Sequence, residues 1–428
     1  MLDRTIAPPI VDAVNFDIKL KPCEQFSLDN KTPVYLVNAG AEEVANIEFV
    51  FYAGNSFEKK NLVAASVNYL LKTGTKNKTA FEISEAFEFY GAHLSTFCSN
   101  EVSSIGVSCL SKHLPQLLPL ISEVITESIF PETELSIYQQ NQKQRLAINL
   151  QKGEFVAGRL IDAALYGKQH PYGKFTTAAG LDALSREDLI NFYTENYTNG
   201  TCQIFAAGKL PNDIHEQLNK YFGSLDFKNN FNLVNQLNYS SNPSTEKKQI
   251  IINDESSVQG AIRIARNFPN RHSEDWQKVQ VLNTIFGGYF GSRLMSNIRE
   301  DKGYTYGIHS YLQNHIKESA LIISTEAGKD VCEATIDEVW KEAKILREEL
   351  IDEDELELVR NYMLGSILGS LDGPFQIINR WKSYVLNNLD ETFFYKSIET
   401  IKTISAQALQ DIANKYLTED DFHQLTVF

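Results

Sequence analysis

The chain repeats itself, and the repeat limits its fold more than any single motif does. Asn55 in "YAGN" matches Asn270 in "NFPN", and Asn68 in "VNYLL" matches Asn283 in "LNTIF". His93 in "GAHLS" matches His309 in "GIHSY", 216 residues on, and Ser185 matches Ser405 at a spacing of 220. A spacing that drifts this slowly over half a chain is the mark of duplicated units.

Each unit reads as alternating strands and helices. In the first, "ANIEFVFYAGN" has strand character, and residues 62–75, "LVAASVNYLLKTGT", read as a helix running into a glycine stop. Thr79 stands three residues before Glu82, the signature of a capping box. Two strands follow, "GAHLSTFCS" and "EVSSIGVSCL", then helices from His113 to Leu150 and a closing strand "CQIFAAG". This predicts an α+β fold of two homologous lobes, 1–225 and 248–428, each a mainly antiparallel sheet with helices on one face. Residues 226–247, rich in Asn and Ser, read as the linker.

Composition removes several function classes. With 43% apolar residues the 428-residue chain has enough for two cores, and a net charge of −15 speaks against nucleic-acid binding. Cys23, Cys98, Cys109, Cys202 and Cys332 are scattered, odd in number and never in C-x-x-C spacing, so neither disulfides nor a cysteine zinc site is expected. The opening "MLDRTIAPPIVDAVNFDIKL" lacks a basic start and apolar run, and no apolar stretch is long enough to span a bilayer, so the expected location is cytoplasmic, without a membrane partner.

Four features together resemble the insulinase and processing-peptidase family of H-x-x-E-H zinc metallopeptidases. They are the helix ending in "KTGT" with the Thr79 helix and Glu101 after it, "ALYGKQHPYGK" (164–174), "GGYFGSRLMSNIREDKGYTYG" (287–307), and the two-lobe plan itself. The resemblance implies six-stranded sheets in both lobes and a clam-like chamber around an unfolded peptide.

In active relatives the first-lobe helix carries two His four residues apart, about 6 Å of helix rise, which grip one zinc while the intervening Glu activates water. The corresponding run here is Ala65, Ser66, Val67, Asn68 and Tyr69. A third ligand, Glu in the family, is expected on a later helix; residues 135–153 contain no Asp or Glu, and Asn149 lies near the expected place. Ala, Asn and Tyr do not replace imidazole and carboxylate donors. The resemblance therefore implies a chain without zinc, the helix having become ordinary core with Tyr69 filling the former metal pocket. None of the eight His forms an i, i+4 pair around an acid, which disfavours a relocated site.

The family's second lobe contributes an Arg and a Tyr seven residues apart, matched here by Arg299 and Tyr306. By resemblance the Arg holds substrate carbonyls and the Tyr hydroxyl donates to the developing oxyanion. The structural alternative is that Arg299 ends a helix and Tyr306 begins a strand. The glycines of "FGGYFGSRL" lack the Lys-Ser/Thr of a phosphate loop and read as a bend between helix and sheet. The family's edge strand pairs with substrate backbone; its counterpart includes Ser95, Thr96 and Phe97, with Ser where active relatives usually have Asn. The expectation is a non-catalytic subunit of a heterodimer, its partner carrying H-x-x-E-H and the zinc, with a peptide-binding or scaffold homodimer as the alternative.

Overall fold

Alternation along the central strands sends apolar residues to both sides of two sheets. The computed structural model describes residues 17–428, so most of the quoted opening stretch lies outside the described residues. The first sheet contains β1 (Glu24–Ser27), β2 (Pro33–Asn38), β3 (Val44–Phe51), β4 (His93–Cys98), β5 (Ser103–Leu110) and β6 (Cys202–Gly208), in the order β1-β2-β6-β3-β5-β4. The second contains β7 (Lys248–Ile251), β8 (Gln259–Phe268), β9 (Thr305–Asn314), β10 (Ser319–Gly328) and β11 (His423–Val427), in the order β7-β11-β8-β10-β9.

From β2 onward the two sheets follow the same path, each with one parallel pair, β2 with β6 and β7 with β11. The repeat extends to register: His93 faces Ser108, and His309 faces Ser324, both 216 residues later. Ser185 and Ser405 cap equivalent helices, their hydroxyls accepting the N–H groups of Asp188 and Ala408. Thr79 and Glu82 form the predicted capping box. Among the described residues β1 has no counterpart in the second lobe, so that sheet has five strands rather than the six implied by the resemblance.

Helices cover each sheet on both faces, not one. Ile47, Phe49 and Phe51 of β3 enter the first lobe's own helical core, whereas Val50 and Tyr52 join Phe205, Ala207, Ile377 and Ile378 on the opposite side. The last two belong to the helix Pro374–Leu386 of the second lobe. Reciprocally, the first-lobe helix Gly153–Tyr166 lies on the second sheet, packing Val156, Ala157, Ile161 and Leu165 against Ala261, Ala265, Ala320 and Ile322. Three alanines on that face let the helix approach closely. A Cβ on Gly153 would come within 3.3 Å of the Val427 carbonyl oxygen. The 226–247 segment is also packed: Phe227, Leu233 and Leu237 are buried, each docking singly because they are too widely spaced to set up a period.

Where the lobes meet, the turns after β4 and β9 touch. The Ile316 N–H donates to Glu101 at 3.2 Å, and the Asn100 amide lies 3.4 Å from His315 Nδ1. The "HPY" residues complete the seam: Tyr172 stacks on His315 at 3.8 Å and shares a hydrogen bond with Tyr239, while His170 packs against Tyr166. Asp162 accepts from Gln313 at 3.2 Å, and Gln313 in turn accepts from Tyr166.

Burial favours the neutral forms of Glu101, Asp162, His170 and His315 in this seam. It raises Glu101, pushes Asp162 up to about 6, lowers His170, and brings His315 down to about 4, the last with help from the like charge of His170. The raised acid costs stability as pH climbs from about 4 through 6, because the unfolded carboxyl releases its proton first. The lowered histidine costs stability as pH falls from about 6.5 towards 4, because the unfolded imidazole gains its proton first. Each contribution is about 3 kcal/mol, so the two oppose each other over one window. Asp162→Asn is expected to remove the first term and leave the second. In urea titrations it should be more stable than the native chain at pH 7 by up to about 3 kcal/mol, with the advantage gone at pH 4. A difference between the two proteins that does not change with pH would refute this assignment.

Candidate functional site

The helix that would hold zinc in an active relative spans Val63–Leu70, and its residues serve three structural purposes. Asn68, 3% exposed, donates from its amide to the Ser104 carbonyl of β5 at 3.0 Å and to the Tyr197 hydroxyl at 3.2 Å. A carboxylate would have no proton to give the Ser104 carbonyl, so Asn68 fits this place as a stitch between helix and sheet. Ala65 is half-buried on the same helix. Tyr69 does not fill a closed pocket: it is 45% exposed and rests on Tyr138 with ring centroids 5.0 Å apart. Tyr138 is on the helix Glu132–Asn149, whose final residue, Asn149, is eleven residues and about 16 Å of helix axis away. Tyr138, rather than Asn149, is therefore the residue packed against the former metal position.

These side chains do not suit a zinc ion. The Asn68 amide is committed, Ala65 has no donor, and Tyr69 faces another phenol. Among the described residues no group of three or more His, Cys, Asp or Glu is placed to hold a metal. No hydrolytic step follows from this helix.

The start of the helix is held by a pair the sequence did not single out. The fully buried Glu58 carboxylate accepts the N–H groups of Leu62 and Ala64, at 3.2 and 2.9 Å, and meets Lys174 at 2.5 Å. Lys174, the last residue of "HPYGK", also donates to the Asn55 carbonyl. Two free helical N–H groups and one ammonium thus compensate one buried carboxylate. The anchor sustains a left-handed conformation at Leu62, φ 76°, unusual for a residue with a branched side chain. At the other end Gly74 does not act as a left-handed stop. A Cβ there would lie 2.9 Å from Pro131 Cγ, so glycine is required by close packing.

Beside this helix runs β4, whose described pairing is with β5 alone, leaving its other edge available for an added strand. Phe97 is 61% exposed, Thr96 half-buried, and the Ser95 hydroxyl turns back to donate to the Gly106 carbonyl at 3.3 Å. His93 and Ser95 border a groove of about 690 Å³ whose far wall is Phe375, Ile378 and Asn379 of the second lobe.

Arg299 lies in the wide helical turn Met295–Asp301, and Tyr306 is the second residue of β9, the edge strand of the second sheet. Their local settings match the structural alternative for both, which leaves their side chains outward. Arg299 sits over the Phe290 ring at 4.8 Å and meets Glu300 at 3.5 Å. Phe290, from the glycine-rich segment, is thus a positioning contact that spacing alone did not reveal. Gly287 of that segment presses against the backbone of Ser310, where a Cβ would be 2.7 Å from the amide nitrogen. Tyr306 is 95% exposed. The end of β9 that touches the first lobe lies eight residues beyond it, about 26 Å of extended strand. Arg299 and Tyr306 are consequently held away from the Phe97 end of β4 in their own chain.

The Glu58–Lys174 pair gives a direct test. Lys174→Met removes the cation and leaves the carboxylate buried, an arrangement that typically costs about 3–5 kcal/mol. Urea unfolding should show that loss, while Lys174→Met combined with Glu58→Gln should recover a substantial part of it. Equal stability of Lys174→Met and the native chain would rule out the anchoring role.

Two family models match successive parts of the chain. Residues 34–175 match the model for "Insulinase (Peptidase family M16)", and residues 183–363 match that for "Peptidase M16 inactive domain". The chain is 23% identical over 362 residues to the "Uncharacterized zinc protease YmxG" of Bacillus subtilis, covering 84% of this chain and 87% of the relative. It is 25% identical over 247 residues to the "Probable mitochondrial-processing peptidase subunit beta" of Schizosaccharomyces pombe, covering 54% and 51% respectively. The crystal structure titled as a peptidase M16 inactive domain from Pseudomonas fluorescens superposes with a TM-score of 0.83 at 21% identity, over 95% of this chain and 98% of that one. With the two M16 models matched in order over 34–175 and 183–363, the chain belongs to the M16, or insulinase, family of peptidases.

Proposed function

We propose that this chain is the non-catalytic subunit of a two-chain zinc metallopeptidase acting on unstructured peptides, and that Arg299 and Tyr306 enter the active site of an H-x-x-E-H partner. The observation that carries the reading is their placement. Both sit on the rim of the second lobe, Tyr306 almost wholly in solvent, some 26 Å along β9 from the contact with the first lobe. A phenol and a guanidinium presented outward can donate to a carbonyl oxygen on another subunit; the same groups do not converge on Ala65, Asn68 and Tyr69 in their own chain. In such a complex the partner's zinc would polarise the scissile carbonyl, Tyr306 would donate to its oxygen, and Arg299 would hold neighbouring backbone carbonyls. The Schizosaccharomyces pombe relative, named as a subunit of a peptidase, makes a two-chain assembly a natural setting.

The free edge of β4 supports a second reading, a homodimer that holds extended peptide by strand addition and cuts nothing. Among the described residues no helix is long and apolar enough to cross a membrane, and the acidic net charge gives no support to a nucleic-acid partner.

Mild affinity purification of the tagged chain from its native cells, with the eluate assayed on a quenched unstructured peptide, separates the two. The proposal expects a stoichiometric H-x-x-E-H partner and chelator-sensitive cleavage. It also expects Arg299→Ala or Tyr306→Phe to reduce turnover at least about tenfold in a complex that remains associated. Recovery of this chain alone without cleavage would favour the homodimer, and full turnover by an intact variant complex would remove Arg299 and Tyr306 from the mechanism.

A further inference from the structure

The second lobe contains a pocket of about 660 Å³, walled by its helices Trp276–Asn283, Glu353–Gly369, Pro374–Leu386 and Glu391–Thr403. It is lined by two arginines, Arg271 and Arg380, and by no Asp or Glu. Neither arginine makes an ion pair among the described residues, whereas Arg263, Arg266, Arg293 and Arg360 of the same lobe each meet a carboxylate.

The hydrogen bonds leave this pocket rich in donors. Arg271 donates to the Ser383 hydroxyl, and Arg380 donates to the Tyr384 hydroxyl at 3.2 Å and to Ser370. The Ser370 hydroxyl donates to the Ile367 carbonyl, but the Ser383 and Tyr384 hydroxyls accept from the arginines and keep their O–H groups free to donate. The enclosed Arg380 Nε has no acceptor. Burial, opposed by Tyr384 and aided by the like charge of Arg380, lowers the Arg271 guanidinium from its ordinary value. A desolvated guanidinium in one pocket with a second arginine and no counter-charge is costly unless an anion completes the site.

The duplicated lobe offers a contrast. Arg159, on the first lobe's exchanged helix, is held by the Thr176 carbonyl at 2.7 Å and stacks on Phe175 at 3.9 Å.

The geometry points to an anion-binding site in which Arg271, Arg380, Ser383 and Tyr384 together hold the phosphate or carboxylate group of a small polar molecule. Arginine forks and hydroxyls suit both oxyanions, and the volume falls in the range of small-ligand pockets. Asn379 lines this pocket and also the groove over the first sheet, so an occupant would rest against the helix that joins the lobes.

Calorimetric titration of the full chain with pyrophosphate, and separately with citrate, at ionic strength held constant with sodium chloride, tests the site. On a chain of net charge −15 diffuse anion uptake is disfavoured, so saturation reports a local site. The expected result is one site per chain for at least one probe, with Kd below about 1 mM; the preferred probe distinguishes phosphate from carboxylate. Arg271→Gln and Arg380→Gln should each weaken binding at least about tenfold, and Ser383→Ala, which keeps both cations, should weaken it less. Lys59→Gln, which removes a surface cation elsewhere, should leave it unchanged. Failure of both probes to saturate the native chain at 10-fold above about 1 mM, or binding within threefold of native in folded variants lacking either arginine, would overturn the assignment.

Discussion

Reciprocal coverage of the two sheets is the constraint on which the rest of this molecule depends. The inner faces of both sheets carry apolar residues that must leave water, and each lobe supplies the helix that closes the other's sheet: Gly153–Tyr166 over β8 and β11, Pro374–Leu386 over β2 and β6. A fully buried aliphatic or aromatic side chain contributes about 1.5–3 kcal/mol relative to exposure, and several on each helix are buried this way. The lobes are therefore parts of one interlocked body, and separating them would expose both sheet faces at once. This fixes the meeting of the β4 and β9 turns and sets the outward direction of Tyr306.

Within that frame the helix Val63–Leu70 is tied to the first sheet. A catalytic Glu must stay free to handle water; Asn68 instead spends its amide on Ser104 and Tyr197, binding the helix to the sheet. The Glu58–Lys174 anchor at the helix start remains as architecture, since it satisfies free N–H groups whether or not a metal sits one turn further on. Tyr69 is half-exposed and rests on the buried ring of Tyr138, beside an edge strand still able to accept an extended chain.

Buried charge is treated in three ways. Glu58 is neutralised by a direct partner. The seam groups Asp162, Glu101, His170 and His315 are shifted towards their neutral forms, which lets them pack against tyrosines. Arg271 and Arg380 have hydroxyl partners but meet no carboxylate among the described residues, which sets them apart from Arg263, Arg266, Arg293 and Arg360 of the same lobe.

The duplication, the order of strands and helices and the capping residues were all legible in the sequence, because each depends on residue type at fixed local spacing. His93 and His309 kept both their spacing and their cross-strand partners, and Thr79, Ser185 and Ser405 cap as their neighbours require. What the sequence could not settle was how the lobes share their helices. The apolar stripe of residues 153–166 reads the same whichever sheet it covers, and only long-range packing decided that it crosses to the other lobe. The same holds for Glu58 with Lys174, 116 residues apart, for Phe290 beneath Arg299, and for Tyr138 in place of Asn149. Local chemistry determined which elements form; tertiary packing alone determined which distant side chains meet, because burial rewards contact without regard to separation along the chain.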